Sequence, residues 1–409
     1  MELQALDQYV EEIEAASPGR LLDRARPEVR VALIGVLDSH RELTPEQGLL
    51  LYQAEGDDLR ALIKCADLAR AADCGDEVTY VVNRNLNFTN VCFVGCRFCG
   101  FKRQRWEAEA YDHSDRVLLE KVAEARRRGA TEVCMQGGIN PQMGPLRYRE
   151  LLELIKGAFP EVHVHAFSPM EVMYGARRAR MAYRPYLSML REAGLGSVPG
   201  TAAEILDDEV RETLSHKKVD VANWVEIITT AHAVGLPSTA TVMYGHLEQP
   251  RHIVNHLTLM RDIQKQTGGF TEFVPLRFVH HNTQLFKLGL VKEPPPRGLF
   301  DFRLYAFSRL YLRGSINNLQ TSWVKLGVDL AALTLKTGCN DFSGTLMEES
   351  ITAQAGGQEG EFVPVDLIEE KARAMGRVAV ERTTLYRKLY DQRAPNGARP
   401  LAPAAPPPA

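Results

Sequence analysis

Long apolar runs are missing from this chain. No stretch approaches about 18 consecutive apolar residues, which excludes a transmembrane span. The opening stretch MELQALDQYVEEIEAA is acidic and amphipathic, which argues against a secretory signal. An excess of one charge is missing as well. Lys and Arg number 49 against 52 Asp and Glu, so neither nucleic acid nor a membrane is expected as a partner. Cysteine is scarce and odd in number, seven in 409 residues, with three grouped in ligand spacing. That pattern excludes a disulfide framework and points to a reducing cytoplasm. Finally, no GxGxxG follows the first expected strand, so the doubly wound competitor of the fold described next lacks its signature.

What is present is a repeating unit. From Glu77 onward, amphipathic stretches that end in glycine (ARRRGATEV, REAGLGSV, AHAVGLPS, KQTGGFTEF) alternate with short apolar runs. Strands are expected over 78–86, 132–136, 162–167, 197–201, 238–244, 271–276 and 319–323, with a weak eighth over 340–343. About eight such units in roughly 270 residues predict an α/β fold, a (β/α)8 TIM-type barrel. Residues 1–76 read as an N-terminal helical extension, in which Thr44-Pro45-Glu46-Gln47 opens a helix through a capping box. The barrel is expected over 77–350 and C-terminal helices packed on it over 351–390. A disordered Pro/Ala tail is expected over 391–409.

The chemistry concentrates in VCFVGCRFCGF, where Cys92, Cys96 and Cys99 form a CxxxCxxC loop directly after the first strand. Thiolates are soft ligands. Cubane iron–sulfur clusters usually take four cysteines, so three grouped thiolates leave one iron open for chemistry. The competing reading is a structural zinc with His113 or a distant residue as fourth ligand, in a non-catalytic binding module. No second ligand pair at zinc spacing accompanies it. Barrel sites lie at the carboxyl ends of the strands, which nominates further residues. Gln136-Gly137-Gly138 follows the second strand, and His165, Ser168 and Glu171 sit at and beyond the third. Thr201 and Glu204 follow the fourth, Tyr244 and His246 the fifth, and Gln320 and Ser322 lie on the seventh. Strand alternation turns Cys134, Gln136, His163 and His165 into the lumen. For His165 to Glu171 a satisfied lumen histidine and a capped turn compete with a ligand role. Glu204 could equally favour a helix N-terminus.

These segments carry a resemblance. NFTNVCFVGCRFCGF, EVCMQGGINP, HVHAFSPMEV, PGTAAEILDDEVR, TGGFTEFVPL, QTSWVKLG and GTLMEES resemble the radical S-adenosylmethionine superfamily, in the branch of deazaflavin and futalosine-route menaquinone synthesis. Within that branch they are similar to the tyrosine-using subunits of deazaflavin synthases. One departure is Gly100, where alanine is expected, a small-for-small change. The resemblance implies a radical SAM barrel with one 4Fe-4S cluster on Cys92, Cys96 and Cys99, and S-adenosylmethionine bound by Phe98, Gln136, Gly137, Gly138, Ser168 and Glu204. His165, Glu171, Thr201, Tyr244, His246, Gln320 and Ser322 are left for substrate. It further implies transfer of a 4-hydroxybenzyl group from L-tyrosine to 5-amino-6-(D-ribitylamino)uracil. An electron donor such as ferredoxin or flavodoxin and a second deazaflavin synthase subunit are the implied partners. Aminofutalosine synthase and cyclic dehypoxanthine futalosine synthase share the spacing and stand as the alternative.

Overall fold

The computed structural model describes residues 2–39 and 41–389; the expected Pro/Ala tail lies outside them. Eight strands are formed: β1 (Glu77–Val81), β2 (Asn83–Leu86), β3 (Glu132–Met135), β4 (His163–Ala166), β5 (Ser238–Tyr244), β6 (Phe270–Arg277), β7 (Asp341–Gly344) and β8 (Val378–Glu381). The single expected strand over 78–86 is thus two short ones with a break at Val82. All named pairs are parallel, as βα units require.

Two expected strands shrink to single bridges. Ser197 pairs with His165 and Val198 with Ser238, after which Pro199 has no N–H to continue a ladder. Leu319 pairs with Phe273 and Gln320 with Asp341, and a short helix starts at Trp323. These bridges still close the circuit. In order, β1–β2, β3, β4, 197–198, β5, β6, 319–320 and β7 form a ring of eight positions, because β7 pairs back onto β1. The barrel expected from the glycine-punctuated repeat is therefore present.

The C-terminal segment corrects one expectation. Helices Ser350–Gln354 and Val365–Ala374 do form, but the following residues enter the sheet as β8, paired with β1 from Glu77↔Val378 to Tyr80↔Glu381. Gly376, at φ 70°, ends the helix, so the Val-Ala-Val run after it is a strand within what reads as helical sequence. Beyond β8 the chain turns under the barrel. Arg382 donates through Nε to Asp341 at the start of β7 (2.5 Å) and lies 3.4 Å from Glu272 near the start of β6. Thr384 donates to Glu132 at the start of β3 (2.6 Å). The amino ends of the strands are thereby closed by a buried polar floor.

The N-terminal helices Leu3–Ala15, Pro18–Arg24, Pro27–Ser39, Pro45–Tyr52 and Gly56–Cys74 lie on the outside of the barrel. The Thr44–Gln47 capping box is formed in both directions (3.3 and 3.1 Å). The helix it opens packs so tightly at Gly48 that an added Cβ would lie 2.5 Å from the Tyr311 ring. None of the described helices is long and apolar enough to cross a membrane.

Arg382 is 2% exposed at its side chain and compensates two buried carboxylates. Removing one member of such a cluster leaves charge buried and unpaired. Arg382→Met is expected to lower the unfolding free energy by about 3–5 kcal/mol. Urea unfolding checks this, and an unchanged midpoint would show that the floor contributes nothing.

Candidate active site

A single cavity of about 400 Å³ runs through the barrel, from the cysteine loop at the carboxyl ends of the strands to Arg382 and Thr384 at the floor. Among the described residues none before Val81 lines it, so the described N-terminal helices do not cap it. The cysteine loop has no regular structure, and its backbone groups are satisfied by neighbours instead. Asn90 Nδ2 donates to Glu109 O (2.8 Å), and its Oδ1 accepts from Tyr111 N–H (2.8 Å). Cys92 N–H donates to Arg103 O (3.1 Å), Arg97 N–H to Leu214 O (2.9 Å) and Phe93 N–H to Ile139 O (3.2 Å).

The turn after β3 lies directly beneath this loop. A Cβ at Gly137 would meet the Phe88 ring at 2.5 Å, and one at Gly138 would meet Val91 O at 2.3 Å. Gly138 is therefore dictated by close approach of two backbones, and Gly137 by the Phe88 ring packed on it. Gly100 is equally tight. An added Cβ would sit 2.6 Å from Ala355 Cα, which gives a steric reason for glycine where alanine is expected.

Of the nominated residues, Cys92, Cys96, Cys99, Phe98, Gln136, Gly137, Gly138, His165, Ser168, Glu171, Thr201, Glu204, Gln320 and Ser322 all line this cavity. Tyr244 and His246 do not. Thr239, Thr241 and Met243 face the lumen, so Tyr244 faces outward, and its hydroxyl donates to Asp301 (2.8 Å). His246 is folded back on its own turn, with Nε2 on Met243 O (2.9 Å). Cys134 and His165 face inward as the alternation requires; His163 shares Ser197 Oγ with His165 (2.7 Å each) without reaching the cavity.

Several side chains do a different job from the one the spacing suggests. Ser168 and Glu171 form a capping box on helix Pro169–Ala179, and the second Glu171 oxygen accepts from Gly137 N–H (3.0 Å). Glu171 thus ties the glycine turn to the next rim loop. Glu204 starts no helix; that begins at Asp208. Glu204 instead pairs with Lys218 (2.6 Å), half-buried, and with Arg211 (3.4 Å), buried. Lys218 Nζ also lies 4.9 Å from the Phe98 ring centroid, a cation–π contact. Lys218, Glu132, Glu272, Lys325, Glu349 and Arg382 line the cavity and were not legible as site residues. Nothing around LSHKKVD distinguishes Lys218, whereas a Gly-then-VAV reading of residues 376–380 would have led to Arg382.

All seven cysteines are free, and Cys92, Cys96 and Cys99 are close enough that their charges act on one another. Burial pushes Cys96 up to about 12, opposed by Lys218, and raises Cys99 also. Such thiols give up their protons when a soft cation replaces them. Among the described residues no three His, Cys, Asp or Glu groups converge on a single-ion site, as a structural zinc needs. His113 is stacked on Tyr111 (4.5 Å) away from the cavity. The ligands of a four-iron cluster bind different irons and stand further apart than those of one ion. Three soft donors around one cavity fit that group.

Sequence comparison finds the radical SAM superfamily over residues 86–260 and the CofH/MqnC C-terminal region over residues 267–391. The chain is 47% identical over 349 residues to 5-amino-6-(D-ribitylamino)uracil–L-tyrosine 4-hydroxyphenyl transferase of Methanothermobacter thermautotrophicus, covering 85% of this chain and 95% of that protein. It is 48% identical over 381 residues to FO synthase of Streptomyces coelicolor, covering 93% of this chain but only 44% of that longer protein. Among solved structures, methylornithine synthase (PylB) superposes with a TM-score of 0.66 at 17% identity, covering 85% of this chain and 97% of that one. HydG from Carboxydothermus hydrogenoformans gives 0.68 at 14%, covering 95% and 87%. At these identities the structural matches speak for the fold alone.

Burial pushes Glu171 up to about 7, against the lowering effect of its bonds from Ser168 and Gly137. Between about pH 4.5 and 7 the folded protein then holds a proton that the unfolded chain has released, so stability falls as pH rises through that window. Glu171→Gln is expected to remove about 2–4 kcal/mol of that pH dependence. Urea unfolding from pH 4.5 to 8 measures it; equal slopes for both proteins would show that burial does not govern this carboxyl.

Proposed function

The chain belongs to the radical S-adenosylmethionine superfamily, and from that premise we propose that it cleaves the Cα–Cβ bond of L-tyrosine and transfers the 4-hydroxybenzyl group to 5-amino-6-(D-ribitylamino)uracil. The observation that carries this reading is the 47% identity extending over 95% of the 4-hydroxyphenyl transferase. It is supported by the gathering of the cysteines, the glycine pair and polar lumen residues on one cavity.

In this reading Cys92, Cys96 and Cys99 hold the 4Fe-4S cluster. With S-adenosylmethionine bound, the cluster supplies one-electron chemistry that yields a hydrogen-abstracting carbon radical. Phe98, Gln136, Gly137, Gly138 and Glu204 form the cofactor wall, with Glu171 and Ser168 fixing the glycine turn rather than touching a ligand. His165, Gln320, Thr201 and Ser322 remain as polar contacts for substrate deeper in the lumen. Radical intermediates need protection from water. The floor made by Arg382 and Thr384 and the apolar walls at Val274, Leu276 and Val324 provide that exclusion. A low-potential electron donor such as ferredoxin or flavodoxin and a second deazaflavin synthase subunit complete the reading. The need for that reductant and for reduced thiols supports a reducing compartment such as the cytoplasm.

Anaerobic reconstitution followed by dithionite and S-adenosylmethionine tests the proposal. Tyrosine and the ribitylaminouracil are expected to be consumed together, with mass spectrometry detecting their adduct. Cys96→Ala is expected to lose both the cluster's iron and reductive cleavage. Turnover that instead required a futalosine compound would overturn the substrate assignment. Full iron content and activity in Cys96→Ala would overturn the ligand assignment.

A further inference from the structure

The cations lining the cavity are mostly spoken for. Lys218 is paired with Glu204, Arg277 with Asp301, and Arg382 with Asp341 and Glu272. Lys102 belongs to the cysteine loop itself, within reach of Gly95. Lys325 is different. It sits on helix Trp323–Leu326, above the seventh position of the ring, where barrels place ligand contacts. Its Nζ donates to Thr352 Oγ1 (2.6 Å), and among the described residues no carboxylate lies within 4.0 Å of it. An ammonium carries three donors, so two remain for the cavity.

Glu349 lines the same wall, and its charge acts on Lys325. One of its oxygens accepts from Thr352 N–H (2.8 Å). Thr352 therefore engages both groups, its hydroxyl with the ammonium and its amide with the carboxylate, and the direct ion pair is not made. Two opposite charges kept apart on a desolvated wall are costly unless a third party satisfies them. The complementary ligand carries one anion and one cation a few bonds apart, which is the head group of an α-amino acid.

We propose that Lys325 and Glu349 clamp the α-carboxylate and α-ammonium of the amino-acid substrate, with Thr352 as the spacer. This rests on the reading of the protein as a tyrosine-using enzyme. S-adenosylmethionine has the same head group, but its expected wall follows the second to fourth positions of the ring. Lys325 and Glu349 follow the seventh and eighth, on the other flank of the cysteine loop that follows the first. The substrate's head group is thereby held apart from the cofactor's.

The test uses the full-length, cluster-loaded protein without reductant and measures equilibrium dialysis of labelled L-tyrosine, tyramine and S-adenosylmethionine. Wild type is expected to prefer tyrosine over tyramine, which lacks the carboxylate. Lys325→Met should weaken tyrosine binding roughly 10- to 100-fold, the value of a charge-assisted hydrogen bond, and erase that preference. S-adenosylmethionine affinity should be unchanged. Lys325→Arg should keep most of the tyrosine affinity, and Glu349→Gln should weaken it while retaining iron content.

Wild type that binds tyramine as well as tyrosine would overturn the clamp without recourse to any variant. So would unchanged tyrosine affinity in Lys325→Met, or an equal loss for S-adenosylmethionine, which would assign the clamp to the cofactor. Wild type that binds no tyrosine at all would overturn the functional reading itself, and the clamp with it.

Discussion

A loop without regular structure can carry three thiols at the mouth of a barrel only if its backbone amides find partners. Much of the architecture serves that requirement. Asn90 and Arg103 brace the loop from within its own segment, the former through Glu109 and Tyr111, the latter through the carbonyls of Gly100, Phe101 and Lys102. The turn after β3 supports it from below, where Gly138 N–H donates to Thr89 O (2.7 Å). The rim segments at Leu214 and Leu285 meet it at Arg97. Residues separated by nearly two hundred positions thus determine where the thiols stand, and the glycine pair is the tightest point of that assembly.

The lumen below is organised by charge. At the floor one guanidinium, Arg382, meets two carboxylates, Glu272 and Asp341, and a third, Glu132, acts on Glu272 from beside them. Neutral donors take up the excess: Asn83 and Thr384 on Glu132, Thr79 on Asp341, and Gln320 on Glu272. Burial still drives Glu272 up to about 7. A floor of this composition disfavours an anionic ligand and suits neutral donors and acceptors. Lys102 and Lys325, which pair with no carboxylate among the described residues, lie at the opposite end, beside the cysteine loop and on the rim. Anionic groups are therefore favoured near the mouth and polar uncharged ones near the base.

The sequence was most legible where a rule spans a few residues. The capping boxes at Thr44–Gln47 and Ser168–Glu171 need only three-residue spacing and good geometry, and both form. The inward faces of Cys134 and His165 follow from the pleat. The same pleat, applied to Thr239, Thr241 and Met243, would have sent Tyr244 outward, against its nomination as a rim residue. Glu204 was ambiguous for another reason. Its local setting resembled a helix start, but Lys218, fourteen positions on, decided its role.

Spacing and glycine punctuation by themselves determined the grouping of three cysteines in one loop, the βα repeat and hence the barrel, because each rests on local backbone preference and side-chain periodicity. Only the tertiary structure decided that residues 378–381 join the sheet, that Arg382 closes its base and that Lys325 faces Glu349 around Thr352. Those outcomes depend on which charges share a desolvated interior once the ring has closed. Coulomb interactions there bind partners far apart in sequence, such as Arg382 and Glu272, 110 residues apart, or Arg84 and Glu348, 264 apart, and no local pattern records such a pairing.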